Sequence, residues 1–420
     1  MKGKIKTNMD QFKKNFIWNT LGTGLNAFNS LFFMIAVTRI NGVDNAGVFT
    51  IAFSTACIIY VIGIYAGRIY QVTEPDKTIT NKEYIVNRIT TTILMIILVI
   101  VFCLIRQYTA FKTTIFILLT TYKALEAFSE VIYGILQKNE KLDKVGKSLF
   151  FKSIISIILF VLVDYITKNL IIAICAMLLA NIMMIIFYDF RNSKEYIEIN
   201  SKVNKDNVLK IFKLGFYTFI IAFLGMYILN APKYAIDSYL EDNYQTIFGI
   251  IVMPATVIGL VAQFLIHPYL NKILEIYEKR NLKELKKIIM KLILAIIGVG
   301  IVSSILAYFL GPEVLGIIYG IDLSLYRVNL LIIIIASTIY TIGVIYSSVL
   351  TTVRETFSQF IIYIIISAFA LIVSNVFTKS GQIDGAVWSY LAIMALQFTL
   401  YAVYSNIKLR VIFKSKQLEE

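Results

Sequence analysis

The sequence predicts an all-α polytopic membrane protein with about twelve transmembrane helices. Three observations lead there: the chain is 58% hydrophobic and only 16% charged, apolar runs of spanning length recur along it, and its basic residues gather in alternate connections. Soluble domains are roughly 45–50% apolar and about 25% charged, so this excess of apolar side chains needs lipid as a second solvent. The mean hydropathy of +0.76 says the same. Twelve spans of about 20 residues consume roughly 240–280 residues, which leaves short connections and no room for a separate soluble domain.

The first apolar run covers 15–38. It is longer than a signal-peptide core and lacks a small-residue cleavage site, so it is expected to be a retained span. Further runs follow at 45–67, 88–106, 112–136, 146–164 and 169–190. A polar stretch, 191–207, then interrupts the pattern, and a second set follows at 208–231, 244–267, 286–310, 326–350, 356–377 and 383–406. The break divides the chain into two six-span lobes, 1–204 and 205–420. The halves echo each other weakly: Tyr133-Gly-Ile-Leu-Gln-Lys-Asn-Glu closes span four as Ser347-Ser-Val-Leu-Thr-Thr-Val-Arg-Glu closes span ten. Duplication of this kind is frequent in transporters.

Charge sets the orientation. With the N-terminus inside, 32 of the 40 Lys and Arg residues fall in inner segments and 7 in outer ones, while Lys123 lies within a span. By the positive-inside rule this predicts a cytoplasmic (inner) membrane protein with both termini cytoplasmic. The net charge of +14 is accounted for by those loops, so nucleic acid is not an expected partner. Cys57, Cys103 and Cys175 all fall in apolar runs and give no disulfide framework. With a single histidine, no metal site is expected, and no cofactor either. Gly146-Lys147-Ser148 imitates the end of a phosphate loop without the glycine that must precede it, so no built-in ATP motor is expected. No nucleophile–base pairing stands out, and no outer connection is long enough for a catalytic loop; an enzyme is not expected.

Polar side chains at bilayer depth are costly and normally face the bundle interior or a wet cavity. Asn15, Asn19, Gly22, Asn26 and Asn29 share one face of span one, about 80° wide at 100° per residue. Two readings stand side by side: helix–helix glue, or the lining of a cavity. Lys123, Glu126 and Glu130 share one face of span four. They form either a neutralising pair that permits burial or titratable groups along a hydrophilic path, with Lys123 drawing an anionic head group and the glutamates serving ion coupling. Arg39, Arg68, Lys233, Asp237, His267, Arg327 and Arg354 lie near span ends, where anchoring is the ordinary role. Lys233 and Asp237 follow Asn230-Ala-Pro232, an expected kink. Gly63 and Gly67 form a GxxxG, a packing signal.

The stretch Ala36-Val-Thr-Arg39-Ile-Asn-Gly42-Val-Asp44-Asn-Ala-Gly47-Val-Phe49 resembles the first span junction of polysaccharide-unit flippases, which carry O-antigen or capsule repeat units. These belong to the multidrug/oligosaccharidyl-lipid/polysaccharide exporter superfamily. Phe248-Gly249-Ile-Ile-Val-Met-Pro-Ala255 with His267-Pro268 is similar to that family's span eight, and Leu310-Gly-Pro312-Glu-Val-Leu-Gly-Ile-Ile-Tyr-Gly320 resembles the segment before span ten. One departure is Ile40-Asn41-Gly42, where the family has leucine-glycine after the arginine.

The resemblance implies two lobes around a central cavity that opens alternately to either side. The implied substrate is an undecaprenyl-pyrophosphate-linked glycan, with a polysaccharide polymerase and other assembly proteins as partners. A cationic cavity suits such a head group, because a pyrophosphate crossing low dielectric gains from paired Lys or Arg. On this view Arg39, Lys123, Lys233, Asn19 and Asn26 are the substrate-binding candidates, and Glu126, Glu130 and Asp237 the coupling candidates. Two rivals remain: a cation-coupled small-molecule or multidrug exporter of the same superfamily, and a membrane-embedded glycan polymerase or ligase, against which the short outer connections speak.

Overall fold

The computed structural model describes residues 2–65, 67–74, 78–198 and 202–415. Their regular structure is helical throughout. In order the helices are α1 (Lys2–Ala27), α2 (Asn29–Ile64), α3 (Gly67–Thr73), α4 (Asn81–Arg106), α5 (Ala110–Lys138), α6 (Leu142–Thr167) and α7 (Leu170–Met184). α7 runs on through a π-helical turn (Ile185–Phe190) into the short α8 (Arg191–Ser193). Then come α9 (Lys205–Tyr239), α10 (Asp242–Glu278), α11 (Leu282–Tyr319), α12 (Arg327–Thr352) and α13 (Thr356–Ser415).

Among the described residues, nine helical stretches are long and apolar enough to span a bilayer. Two of them, 52 and 56 residues long, far exceed one crossing of about 20 residues. Each is broken by a residue with non-helical dihedrals, Gly42 (φ 85°) and Gln382 (φ 50°), and so makes two passes. α5 is too charged for the composition test, yet it packs among α2, α3, α4 and α7, which shield its charges from lipid. It completes the twelve. The exposed faces are apolar, as Ile93, Leu94, Ile97, Val101, Leu104 and Ile105 of α4 illustrate. In water such a stripe would be an aggregation hazard; in a bilayer it is the lipid contact.

Gly42 makes the corner predicted at 39–44 through backbone freedom alone. Its φ lies in the left-handed region, while a Cβ added there meets nothing within 4 Å. Gly42→Ala is therefore expected to cost about 1–2 kcal/mol from conformation only. The check is a thermal unfolding midpoint, and one unchanged from wild type would refute the strained corner.

The chain forms two compact units, Met1–Phe223 and Leu224–Glu420. In the first, Phe33 packs against Phe160 (ring centroids 5.0 Å) and Tyr122 (6.2 Å). α1 and α6 approach to backbone contact, because Gly22 faces the carbonyl of Gly146 and Gly146 faces the backbone of Trp18. Local signals start α4: Glu83 N–H donates to Thr80 Oγ1 and Thr80 N–H donates to the Glu83 carboxylate, a capping box. The same carboxylate accepts from the Asn204 N–H at 2.8 Å and from the Asn207 amide. The Tyr65 hydroxyl donates to the Phe212 carbonyl at 2.9 Å. These bonds tie the first turns of α9 into the first unit, so the boundary between units falls inside that helix.

In the second unit, Ile273, Ile276, Leu285, Ile288, Ile289 and Leu292 of α10 and α11 pack with Ile345, Val349 and Leu409. Asn329 donates to Asp384 at 2.7 Å, joining α12 to α13 beside the Gln382 break. Several expected ends move. α10 continues through Pro268 to Glu278, and α9 passes through Pro232 without ending. α11 runs through Pro312 to Tyr319 and stops at Gly320 (φ 76°), a left-handed C-terminal cap. Membrane helices accommodate proline because neighbouring groups satisfy the freed carbonyl. Of the GxxxG pair, Gly63 packs tightly against Met95 and Ala127, whereas Gly67 (φ 69°) is a turn residue opening α3.

Candidate functional site

The site lies in the first unit and is built on α5. At 3.6 residues per turn, Lys123, Glu126, Glu130 and Tyr133 follow one stripe, and Glu126, Glu130 and Tyr133 line one cleft. Opposite them stand Asn26 of α1, Tyr60 of α2, Lys152 of α6 and Asn181 of α7. The cleft is narrow, with room for about two water molecules.

Every charge along this stripe meets an opposite charge. The Lys123 ammonium lies 2.7 Å from Glu126 and within 4.9–5.8 Å of the rings of Phe53, Tyr122 and Tyr60. Glu130 faces Arg68 more loosely, at 3.8 Å, while the Arg68 Nε donates to Gln137 at 2.6 Å. Deepest is Lys152, whose ammonium donates to Asp189 (2.5 Å), to Ser129 Oγ (2.6 Å) and to the Tyr133 hydroxyl (3.1 Å). Ser148 donates to the other Asp189 oxygen at 2.5 Å and lies 2.9 Å from the Tyr133 hydroxyl. Asp189 is wholly buried and sits in the π-helical turn, whose extra residue per turn re-aims side chains. Arg88, also buried, donates to the Gly63 carbonyl, which accepts from Thr91 as well.

The asparagine face runs along α1 and on to Asn29, the first residue of α2, and its contacts differ along its length. Asn15 accepts from the Asp143 N–H at 2.8 Å and donates to the Glu140 carbonyl, so there it fastens α1 to the start of α6. Asn29 donates to Ser153 (3.1 Å) and to Asn26 (3.2 Å), and Asn26 also borders the cleft. Asn19 is half-buried on the α1–α6 seam, where its backbone N faces Gly146.

Of the eight residues expected at the site, six lie in the first unit and two in the second. Asn26, Glu126 and Glu130 line the cleft and Lys123 adjoins it through Glu126. Arg39 is exposed on α2, ahead of the Gly42 corner. Lys233 and Asp237 belong to the second unit, half-buried on α9, with the Lys233 carbonyl accepting from Gln245. Two corrections concern residues counted as loop charges. Lys152 and Arg88, included among the 32 inner charges of the orientation count, are 6% and 4% exposed within α6 and α4. The signal for Lys152 was present: it stands in an apolar run with Ser148 and Ser156 four residues to either side. Asp189 gave less warning, since a regular helix would aim it elsewhere. The side chains of Lys2, Lys4, Lys6, Lys77, Lys414 and Lys416, used in the orientation count, lie outside the described residues. Gly146-Lys147-Ser148 is part of α6, where Gly146 serves helix packing.

A buried polar stripe inside an apolar bundle keeps ionisable groups away from lipid, and comparison with known proteins identifies the fold. The chain overlays an inward-facing multidrug-resistance MATE family transporter of the MOP superfamily with a TM-score of 0.71 at 13% identity, covering 94% of this chain and 96% of that one. The fold is that of the MATE transporters. An outward-facing MATE transporter matches with a TM-score of 0.59 at 12% identity, over 96% of both chains. A MOP superfamily transporter from Pyrococcus furiosus, noted for the reversed polarity of its binding pocket, matches at 0.58 with 14% identity over 96% of both. Those structures hold twelve helices in two lobes and are transporters, and the present chain is a multi-pass membrane protein with that architecture. In sequence, the chain is 26% identical over 328 residues to the capsular polysaccharide biosynthesis protein CapF of Staphylococcus aureus, covering 77% of this chain and 81% of that protein. No protein-family model matches.

Proposed function

We propose that this protein is a flippase that moves undecaprenyl-pyrophosphate-linked oligosaccharide units across the cytoplasmic membrane, by alternating access, for assembly of a surface polysaccharide such as capsule or O-antigen. The observation that carries the reading is the likeness to a capsular polysaccharide biosynthesis protein over most of the chain, joined to a transporter fold. Both termini are cytoplasmic on this reading, so the basic connections face the side where lipid-linked units are made.

Within it, Arg39, Lys233, Asn19 and Asn26 are substrate contacts. Lys123, engaged by Glu126, adjoins the cleft behind that glutamate. Glu130 and Asp237 are the coupling groups. Glu130 stands out because its ion pair, with Arg68, is the longer one, 3.8 Å against 2.7 Å for the Lys123–Glu126 pair. A cleft for about two waters suits a coupling ion rather than a sugar.

The test is a strain deleted for the gene and complemented by variants, followed for surface glycan and for lipid-linked units inside and outside. Deletion should strand single units on the cytoplasmic side. Units that still reach the outer leaflet and fail only to polymerise would overturn the flippase reading in favour of a polymerase. Glu130→Gln at matched abundance is expected to lower export at least tenfold, and unchanged export would remove Glu130 from coupling.

One observation favours a second reading, cation-coupled export of small molecules: the cleft is walled by Tyr60, Tyr122 and Tyr133 beside two glutamates, a lining that suits organic cations. Reconstituted vesicles that exchange a drug for protons or sodium, without moving lipid-linked sugar, would select it.

A further inference from the structure

We propose that Lys123 is a tethered counter-ion: its ammonium fills a cation site formed by Glu126 and the rings of Phe53, Tyr60 and Tyr122, a site of the class that binds primary alkylammonium ions. The site is thus occupied by the chain itself and does not exchange ions with solution.

Charge neutralisation of Glu126 needs only one opposite charge nearby. The surroundings supply more. Phe53 and Tyr60 lie seven residues apart on α2 and so share a face, and both bring their rings to the ammonium, at 4.9 and 5.8 Å. Tyr122 adds a third ring from α5 at 5.4 Å. Rings at these distances attract a cation through their negative faces, and the attraction strengthens when water is excluded. Anion on one side and rings from two helices around the rest is the composition of an ammonium receptor. Tyr60, Tyr122 and Glu126 also line the narrow cleft, so a small ion entering it would reach the same place.

The consequence for the stripe is a division of labour. Glu126 holds a cation that cannot leave, while Glu130, one helical turn on, faces Arg68 at the longer distance. Ion exchange then falls to Glu130 and not to Glu126.

Truncating Lys123 to alanine removes three methylenes and the ammonium, the outline of n-propylammonium. The experiment compares purified wild type, Lys123→Ala and the Lys123→Ala/Glu126→Gln double variant in detergent, with no glycan present. The thermal midpoint is read against n-propylammonium chloride, with sodium chloride holding ionic strength constant. Lys123→Ala is expected to gain a saturable rise of several degrees, as binding to the folded state requires. Wild type should show no such rise, and the double variant should lose it. Adding Phe53→Leu to Lys123→Ala should weaken the apparent affinity about fivefold, a response that an ion pair without ring contacts does not give.

The proposal is overturned by a folded Lys123→Ala that ignores propylammonium, by a response that survives Glu126→Gln or is indifferent to Phe53→Leu, or by a wild-type response that needs Glu126. If Lys123→Ala is recovered folded only when propylammonium is present during purification, the proposal stands. If it stays unfolded at every concentration, the proposal falls. Because the readout uses no transported glycan, failure here leaves the flippase reading untouched, and failure of that reading leaves this one untouched.

Discussion

Asp189→Ala is expected to destabilise the protein by about 3–5 kcal/mol, the range for removing one partner of a buried ion pair. Asp189 has no exposure, and the Lys152 beside it is 6% exposed. Without the carboxylate, the hydrogen-bond partners left to the ammonium among the described residues are the oxygens of Ser129 and Tyr133, neutral groups that offset its desolvation less well than an anion in contact. Ser148 loses its acceptor as well. Trp18 packs against Phe150 of α6 at 5.8 Å, so its fluorescence during heating reports locally on the element that carries Lys152. Lys152→Met combined with Asp189→Leu should recover most of the loss, since apolar replacement of both charges is often neutral or stabilising. A single variant as stable as wild type would mean that the pair is not buried in the folded protein. A double variant as poor as the single would place the stabilisation in the hydroxyls around the pair.

The second large effect is expected at Gly146. A Cβ there would overlap the backbone carbonyl carbon and oxygen of Trp18 and the backbone nitrogen of Asn19. No rotamer change relieves a clash with backbone, so α1 must move away from α6. Overpacking ordinarily costs about 1–3 kcal/mol, and Gly146→Val should reach or pass the top of that range. Displacing α1 also breaks the Ser153–Asn26 bond and the Asn15 bonds to the start of α6. The measurement is the yield of monodisperse protein in size-exclusion chromatography together with the unfolding midpoint. Gly24→Ala and Gly298→Ala are the controls: a Cβ at either meets nothing within 4 Å, and removing a helical glycine should gain about 0.5–1 kcal/mol. Wild-type yield and midpoint for Gly146→Val would sink the close-crossing argument.

Much of the candidate site was legible because helices are periodic. The alignment of Lys123, Glu126 and Glu130 required only 100° per residue, and the cleft shows the two glutamates on one wall. The asparagine face of span one was legible in the same way. What periodicity does not give is the partner. Whether an asparagine fastens a neighbour or borders a cleft depends on what stands opposite it: Asn15 meets the backbone at the start of α6, while Asn26 accepts from Ser153 and borders the cleft. Lys152 was hidden by counting charges: a tally of Lys and Arg near span ends treats every one as solvated, whereas this one is held by an aspartate 37 residues away.

The sequence by itself determined that the chain is helical, that it spans a membrane about twelve times, and that certain helix faces are polar. Those properties follow from composition and from spacing within one helix, where each residue's neighbours are fixed by the backbone. Only the tertiary structure decided which charges neutralise one another, that three rings close around Lys123, and that a π-helical turn brings Asp189 to Lys152. It also decided that prolines at 232, 268 and 312 lie within helices and do not end them. In each case the energy depends on atoms from distant segments and on how much water they exclude, and neither is written in the order of residues along a single helix.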